Sequence, residues 1–226
     1  MRAMLLAAGR GERFRPLTDQ CPNPLVEDAS QTLIERHLGR LSAAGVREVV
    51  INLGWLGAQL RQALGDGARY GLVIEYSEEG WPALETGGGL QRALPLLGEA
   101  PFLVVNSDVW TDYPIEQLLA RAATLPEERL LHLVLVPNPE HHPQGDFNLE
   151  SETLGDAGER LTAAGLWLAR PRLLDGSDET GPFSVVPYWR RAIAAGRASG
   201  ERYDGLWADV GTPQRREVLE RSLRGD

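Results

Sequence analysis

Apolar runs of strand length alternate with segments of helical periodicity along most of the chain. The strand-like runs are short, continuous and rich in Val, Leu and Ile, which is typical of strands buried on both faces of a parallel sheet. Between them, apolar residues recur every three or four positions, as they do on one face of a helix. Strands are predicted at 4–8, 46–52, 72–76, 101–105, 130–136 and 161–168, and helices at 31–44, 56–64, 90–97, 114–123, 182–195 and 213–223.

Repeated β–α–β units of this kind predict an α/β fold whose central sheet is mainly parallel and carries helices on both faces. Local signals mark several helix ends. Ser30 is a candidate N-cap for the first helix, and Gly45 is placed to end it. Thr212 is expected to cap the last helix, with Pro213 in its first turn. The alternation breaks at 138–149, where the chain is loop-rich and has no helical period.

Length and composition favour one domain over residues 1–226, because 226 residues with 42% hydrophobic content suit a single α/β core. The net charge of −9 argues against a nucleic-acid partner. The single cysteine, Cys21, excludes an internal disulfide and fits a reducing compartment. The opening apolar run is too short for a signal peptide, and no run approaches membrane-spanning length. We therefore expect a cytoplasmic protein without a membrane partner, either a monomer or a small homo-oligomer.

All 23 basic residues of the chain are arginine. Typical usage would place on the order of a dozen lysines in a chain of this length. A GC-rich genome explains the bias and also favours the abundant Ala, Gly and Leu. A chain engineered or selected to lack lysine is the other interpretation.

The first apolar run ends in a loop that carries two glycines, Gly9 and Gly11, and three arginines within residues 9–15. A buried strand that enters a Gly-rich, basic loop brings backbone N–H groups against phosphate. Glycine is needed there because a Cβ would hold the ligand away from the backbone. A Gly-x-Gly by itself is also compatible with a plain strand-to-helix turn, so the arginines and the acids further along the chain carry more weight.

Other segments offer candidate chemistry, each with a structural alternative. The glycine cluster 85–89 precedes a helical stripe and suits an anion or a flat ring, although a tight loop without ligand has the same sequence. Asp108 follows a buried strand, where open α/β sheets bind ligands, but an acid there is also a common turn residue. Gly165 inside a strand marks either a close backbone approach or a bulge. The adjacent His141 and His142 do not predict a zinc site, because a further ligand pair is missing.

Gly9-Arg10-Gly11-Glu12-Arg13-Phe14-Arg15-Pro16-Leu17-Thr18 resembles the signature loop of the sugar-1-phosphate nucleotidylyltransferases, also called nucleotide-sugar pyrophosphorylases. The family pattern continues with Pro-Lys-Pro, where this chain has Pro22-Asn23-Pro24. Trp207-Ala208-Asp209-Val210-Gly211-Thr212-Pro213 is similar to the family's second metal-binding segment. The resemblance runs in order from Ala3 to Leu223.

The resemblance implies a glycosyltransferase-A-like nucleotidyltransferase fold, with a small hairpin formed by 147–150 and 155–160 over the sugar pocket. It implies a Mg²⁺-dependent transfer that joins a nucleoside triphosphate to a sugar-1-phosphate and releases pyrophosphate. Gly145-Asp146-Phe147 and the short chain are most similar to the branch that uses UTP and N-acetylmuramate-1-phosphate, which serves peptidoglycan recycling. A mannose-1-phosphate guanylyltransferase-like enzyme and a non-catalytic nucleotide-binding relative are the alternatives.

The resemblance also implies site residues at matching positions. Arg13 and Asn23 stand at the catalytic positions, and Asp108 and Asp209 at the Mg²⁺ ligands. The implied nucleotide contacts are Leu6, Ala7, Ala8, Gly9, Gly11, Glu85, Thr86, Gly87, Gly88 and Asn106. The implied sugar contacts are Gly145, Asp146, Asn148 and Gly165.

Asn23 departs from the family where the lysine would supply a positive charge. A pair of unit charges about 4 Å apart attracts by roughly 4 kcal/mol at an effective dielectric near 20. If half of that acted only in the transition state, its loss would slow the reaction roughly thirtyfold. Arg10 and Arg15 are candidates to supply the charge instead, although arginine and lysine differ in geometry.

Overall fold

A computed structural model describes residues 1–28 and 31–224. The strands are β1 (Arg2–Leu6), β2 (Glu27–Asp28), β3 (Gln31–Thr32), β4 (Glu48–Leu53), β5 (Val73–Glu78), β6 (Phe102–Asn106), β7 (Val109–Thr111), β8 (Leu131–Val136), β9 (Phe147–Glu150), β10 (Thr153–Gly155), β11 (Arg160–Ala169), β12 (Ala198–Arg202) and β13 (Trp207–Asp209). The α-helices are α1 (Leu33–Ala43), α2 (Gly57–Leu64), α3 (Glu85–Leu97), α4 (Ile115–Thr124), α5 (Val186–Ala194) and α6 (Pro213–Arg224).

Nine of the described strands form one sheet, and its longest path runs in the order β10-β9-β11-β6-β1-β4-β5. Strand β8 pairs with β11, and β12 pairs with β8. The pairs of β1 with β4, β1 with β6 and β4 with β5 are parallel, whereas β11 is antiparallel to both β6 and β8. The predicted mixed α/β fold with a mainly parallel sheet is confirmed.

The central strands are buried on both faces, as their continuous apolar runs predict. In β1, Ala3 and Leu5 belong to one core, and Met4 between them belongs to the other. Helices α1, α2 and α4 contribute buried side chains to the first core, and α3 and α5 contribute to the second. The sheet therefore separates two apolar cores. Its strand ends are the places where polar functional groups can lie.

Helix α1 begins with a reciprocal capping box. Thr32 Oγ1 accepts from the Glu35 N–H, and the Glu35 carboxylate accepts from the Thr32 N–H. This box satisfies backbone donors that a helix start leaves open. The predicted cap, Ser30, lies outside the described residues. Gly45 follows the helix with φ at 97°, and Thr212 Oγ1 accepts from the Arg215 N–H at the start of α6, as predicted for both.

Strand β11 contains a bulge at Gly165. Its φ is 74°, and the register of β11 against β8 shifts between Ala163 and Trp167. An added Cβ on Gly165 would lie 3.1 Å from the Asn106 side chain, so close approach and bulge occur together. The hairpin was predicted to pair 147–150 with 155–160. In the structure, β9 pairs instead with β10 and with the first residues of β11.

Helix α3 begins at Glu85, so Gly87, Gly88 and Gly89 lie inside its first turns instead of in a preceding loop. The helix predicted at 182–195 begins later, at Val186. Within residues 1–28 and 31–224, no helix combines the length and apolar character needed to cross a membrane.

Candidate active site

A cleft of about 370 Å³ opens at the carboxyl ends of β1, β4, β5 and β6. Parallel strands present their carboxyl ends at one edge, and in open α/β sheets ligands bind outside that edge. The cleft is lined by Leu6, Ala7, Ala8, Gly9, Gly11, Glu12, Arg13, Asn23, Pro24, Asn52, Glu79, Ala83, Glu85, Thr86, Asn106, Ser107, Asp108 and Gly211.

The signature loop folds tightly around Gly11. Its φ is 66°, and an added Cβ would lie 2.7 Å from the Asn23 Cβ. Thr18 Oγ1 donates to the Gly11 carbonyl at 2.9 Å, and the buried Phe14 anchors the loop in the protein. Gly11 is thus required by its own backbone conformation and by packing on Asn23, whatever ligand the loop binds.

Arg10 and Arg15 are both occupied away from the cleft. Arg10 Nη2 lies 2.9 Å from Asp19 Oδ1, and its guanidinium lies over the Trp55 ring at 4.3 Å. Arg15 Nε lies 3.0 Å from the same Asp19 oxygen. Neither group is among the residues that line the cleft, so among the three loop arginines Arg13 is the one that reaches it.

Arg13 is exposed and makes no hydrogen bond or ion pair with other described residues. Its guanidinium lies over Gly211, where an added Cβ would be 2.2 Å from Nη2. Gly211 therefore leaves the space that the guanidinium fills. Arg13 lines both the cleft and a second pocket beside it, so its free donors face any anion that spans the two.

Asp108 and Asp209 converge although about a hundred residues separate them. Strands β7 and β13 pair antiparallel and set Asp209 opposite Val109, the neighbour of Asp108. The Val210 N–H donates to the Asp108 carbonyl at 2.8 Å. Asp209 Oδ1 accepts from the Gly211 N–H at 2.7 Å, and its Oδ2 accepts from Arg215 Nη1 at 2.6 Å.

The two carboxylates suit a hard divalent cation. Burial raises the pKa of Asp108, the nearby Asp209 carboxylate raises it further, and Arg13 and Arg215 oppose both effects. A dication would relieve this repulsion, and Mg²⁺ takes few protein carboxylates because it keeps waters and binds substrate phosphates. In the described part of the chain no cluster of three or more His, Cys, Asp or Glu side chains forms a metal site, so a dedicated protein cage is not indicated.

The second pocket, about 380 Å³ in volume, shares Arg13, Asn106 and Asp108 with the cleft. Asp108 thus lies on the boundary between two spaces. The pocket is lined by Arg13, Asn106, Asp108, Val109, His141, His142, Thr162, Ala163, Gly165, Trp207, Asp209 and Arg215.

Among the four residues predicted to contact sugar, Gly165 lines this pocket, whereas Gly145, Asp146 and Asn148 do not. Asp146 accepts from the Ala163 N–H at 2.8 Å and lies 3.1 Å from His142 Nε2. Gly145 occupies a turn with φ at 59°. Asn148 Nδ2 donates to the Glu159 carbonyl within the β9 hairpin.

The first residues of α3 lie partly in the cleft and partly in the protein interior. Glu85, which has φ at 57°, and Thr86 line the cleft. Gly87 and Gly88 do not, because they pack against the segment 181–183: a Cβ on Gly87 would lie 2.4 Å from the Phe183 ring. Their lack of side chains is explained by helix packing, and their predicted nucleotide contacts stay predictions.

Asn52 and Glu79 are among the polar residues of the cleft that sequence reasoning missed. Asn52 Oδ1 accepts from the Ala7 N–H at 2.6 Å, and Asn52 Nδ2 donates to Glu79 Oε1 at 2.6 Å. Glu79 Oε2 accepts from the Leu84 N–H at 2.8 Å, and burial raises the pKa of Glu79. This relay connects the end of β1 to the start of α3. Both residues end or follow buried strands, the same signal that singled out Asp108.

The comparisons with known proteins agree with this geometry. Residues 2–153 match the family model described as nucleotidyl transferase. The chain is 48% identical over 216 residues to N-acetylmuramate alpha-1-phosphate uridylyltransferase of Neisseria meningitidis, covering 94% of each chain. It is 41% identical to the enzyme of the same name from Caulobacter vibrioides, covering 98% of this chain and 96% of that one. A mannose-1-phosphate guanyltransferase from Hypocrea jecorina is 32% identical, over 95% of this chain and 62% of the relative.

The fold also matches solved structures. A crystal structure from Bacillus anthracis in complex with sucrose has a TM-score of 0.87 at 17% identity, covering 98% of this chain and 95% of that one. UDP-glucose pyrophosphorylase complexed with UDP-glucose has a TM-score of 0.80 at 15% identity, covering 99% and 98%. The family model and the identity to these relatives show that the chain is a nucleotidyltransferase, a member of the nucleotidyl transferase family. Two relatives above 40% identity are N-acetylmuramate alpha-1-phosphate uridylyltransferases.

Proposed function

We propose that the protein transfers a uridylyl group from UTP to N-acetylmuramate-1-phosphate and releases pyrophosphate. The observation that carries the proposal is the boundary between the two pockets, where Asp108 faces both spaces and Asp209 and Arg13 lie beside it. Two anionic substrates meeting at such a boundary need positioning and charge neutralisation more than proton transfer.

In the proposed reaction, a phosphate oxygen of the sugar-1-phosphate attacks the α-phosphorus of UTP. The new P–O bond forms as the bond to the β-phosphate oxygen breaks, and pyrophosphate leaves. The attacking oxygen is already ionised, so no general base is required. The backbone of Ala8 to Gly11 would orient the triphosphate, and the unpaired Arg13 guanidinium would neutralise the departing pyrophosphate.

Asp108 and Asp209 would hold Mg²⁺ in this proposal, since they supply the hard oxygen donors that it prefers. When bound, the ion would offset the negative charge of both reactants and fix their relative position. The relay of Asn52 and Glu79 would position the Ala7 end of β1, where the nucleotide is expected to bind.

Pyrophosphate release tests the proposal directly. The protein is incubated with Mg²⁺, each of UTP, GTP and dTTP, and 1-phosphates of N-acetylmuramate, N-acetylglucosamine and mannose. We expect the highest kcat/KM for UTP with N-acetylmuramate-1-phosphate. Preference for GTP with mannose-1-phosphate would select the guanylyltransferase alternative. Binding of a nucleotide without release from any pair would select the non-catalytic relative.

The turnover rate tests whether the missing positive charge at Asn23 limits the reaction. The side chain lines the cleft together with Arg13 and Asp108 but carries no charge. Asn23→Lys is expected to raise turnover roughly thirtyfold, because it restores about 2 kcal/mol of transition-state attraction. Asn23→Gln, which lengthens the side chain without charge, is the matched control and should give no such gain. Equal rates for all three proteins would mean that the missing charge does not limit the reaction.

We propose the cytoplasm as the compartment, supported by the presence of a single cysteine, Cys21, in the sequence. The product would then enter peptidoglycan recycling, as the resemblance to the branch that uses N-acetylmuramate-1-phosphate implies. A single domain over 1–226 remains our proposal for the organisation of the chain.

A further inference from the structure

The pocket that contains Gly165 opens into an adjoining apolar groove, which the reaction described above does not use. The groove has a volume of about 400 Å³ and is lined mainly by side chains of β7, β13 and α6. Trp110, Leu206, Val218 and Leu219 line it, and of these Leu206 and Val218 are 58% and 63% exposed. An open apolar surface beside a highly polar site indicates a ligand with an apolar portion.

Two basic side chains lie on the wall between the pocket and the groove. The residues common to both spaces are His141, Trp207, Asp209 and Arg215. Arg215 Nη1 donates to Asp209 Oδ2 at 2.6 Å, and His141 Nε2 lies 3.4 Å from the same oxygen. The remaining side-chain donors of Arg215 have no hydrogen-bond partner among the described residues. A guanidinium has five N–H donors, so Arg215 keeps capacity for a second anion.

The residues of this wall fit the chemistry of one substituent of the proposed sugar. N-acetylmuramate carries a lactyl ether, which places a methyl group and a carboxylate on one carbon. A carboxylate fits the free donors of Arg215 and His141, and guanidinium–carboxylate pairs are charge-assisted and directional. The methyl group fits the apolar groove. N-acetylglucosamine lacks the ether and would leave both features without a partner.

We propose that Arg215 and His141, with the groove at Leu206, form the subsite that recognises the lactyl carboxylate and selects N-acetylmuramate over unsubstituted sugars. The inference rests on the proposed function and names its specificity residues. It also accounts for the two arginines, Arg13 and Arg215, that line one pocket of a chain with a net charge of −9. The substrate would carry about three negative charges, and local positive charge offsets their repulsion.

The test compares two sugar phosphates across matched variants. Kinetic constants are measured with UTP for N-acetylmuramate-1-phosphate and N-acetylglucosamine-1-phosphate, using the wild-type protein, Arg215→Gln and His141→Gln. Arg221→Gln is the control, because Arg221 is an exposed residue of the same helix that pairs with Glu217. We expect Arg215→Gln to lower the preference for the N-acetylmuramate substrate about tenfold, mainly through KM, and the control to leave the preference unchanged.

Leu206→Glu separates recognition from any effect on Asp209. Leu206 lines the groove and not the pocket, and its side chain is exposed. A negative charge there should raise the KM for N-acetylmuramate-1-phosphate severalfold and leave that for N-acetylglucosamine-1-phosphate unchanged. Equal losses for both sugars in Arg215→Gln would overturn the proposal, because Arg215 would then act only through Asp209. A wild-type protein without preference would also overturn it.

Equilibrium binding keeps this test independent of turnover. Calorimetric titration with UDP-N-acetylmuramate and UDP-N-acetylglucosamine should show the same loss of preference in Arg215→Gln. If no sugar phosphate yields pyrophosphate, the proposed activity fails, but the titration still decides whether this wall binds the carboxylate. If pyrophosphate is released and both ligands bind equally to the wild type, the subsite fails and the activity stands.

Discussion

Gly211→Ala is expected to lower turnover without unfolding the protein. The Gly211 N–H holds Asp209 Oδ1 at 2.7 Å, and the Arg13 guanidinium lies directly over the glycine. An added Cβ would lie 2.2 Å from Arg13 Nη2 and 2.6 Å from Asp209 Oδ1. Such contacts cannot persist, so the guanidinium must move. Arg13 is exposed, and Gly211 does not have a positive φ, so the effect on folding should be small.

The size of the effect follows from the displacement. Restoring a normal contact of about 3.5 Å moves the guanidinium by about 1.3 Å. For unit charges at an effective dielectric of 20, a change from about 4 to about 5.3 Å weakens the attraction from roughly 4 to roughly 3 kcal/mol. A loss of about 1 kcal/mol lowers the rate about fivefold. Any shift of the Asp209 carboxylate adds to this loss.

The assay is the initial rate of pyrophosphate release, measured together with thermal unfolding. Gly39→Ala is the matched control, because an added Cβ there meets nothing within 4 Å and the residue is an exposed position of α1. That substitution should raise stability by up to about 1 kcal/mol and leave the rate unchanged. Full activity in Gly211→Ala would refute the reasoning, as would a loss of activity that only accompanies unfolding.

Two further predictions concern stability. Burial lowers the pKa of His37 from 6.5 to about 4, so the folded protein favours the neutral imidazole. The free energy of unfolding is therefore highest above pH 6.5 and falls by up to about 3 kcal/mol as the pH drops from 6.5 towards 4. His37→Gln should flatten urea-unfolding stability across that range, and an unchanged slope would contradict the assignment. Asn52→Leu should cost about 2 kcal/mol or more and weaken UTP binding, because the Ala7 N–H and the Glu79 carboxylate lose their partner. Native affinity measured by calorimetry would exclude a positioning role for the relay.

The sequence by itself determined the layers of the molecule, because periodicity is a local property of the chain. The apolar runs that became β1, β4, β6 and β8 needed no tertiary information to be recognised. The edge strands β7, β12 and β13 were not predicted as separate strands, since three to five residues show too little alternation. The start of α3 was misplaced because three glycines disfavour a helix. Only tertiary packing makes them suitable there, with Gly87 against Phe183, Gly88 against Gly181 and Gly89 against Glu79.

The candidate site, like the fold, was predictable from the sequence only in part. Resemblance identified the candidate residues, but tertiary structure decided the contacts that each one makes. Arg10, Arg13 and Arg15 are alike in sequence, and Asp19 engages the first and third, which leaves the second for the cleft. The meeting of Asp108 and Asp209 depends on the pairing of β7 with β13, which joins segments a hundred residues apart. Such a contact is set by the lowest-energy packing of the whole chain, and no local pattern specifies it.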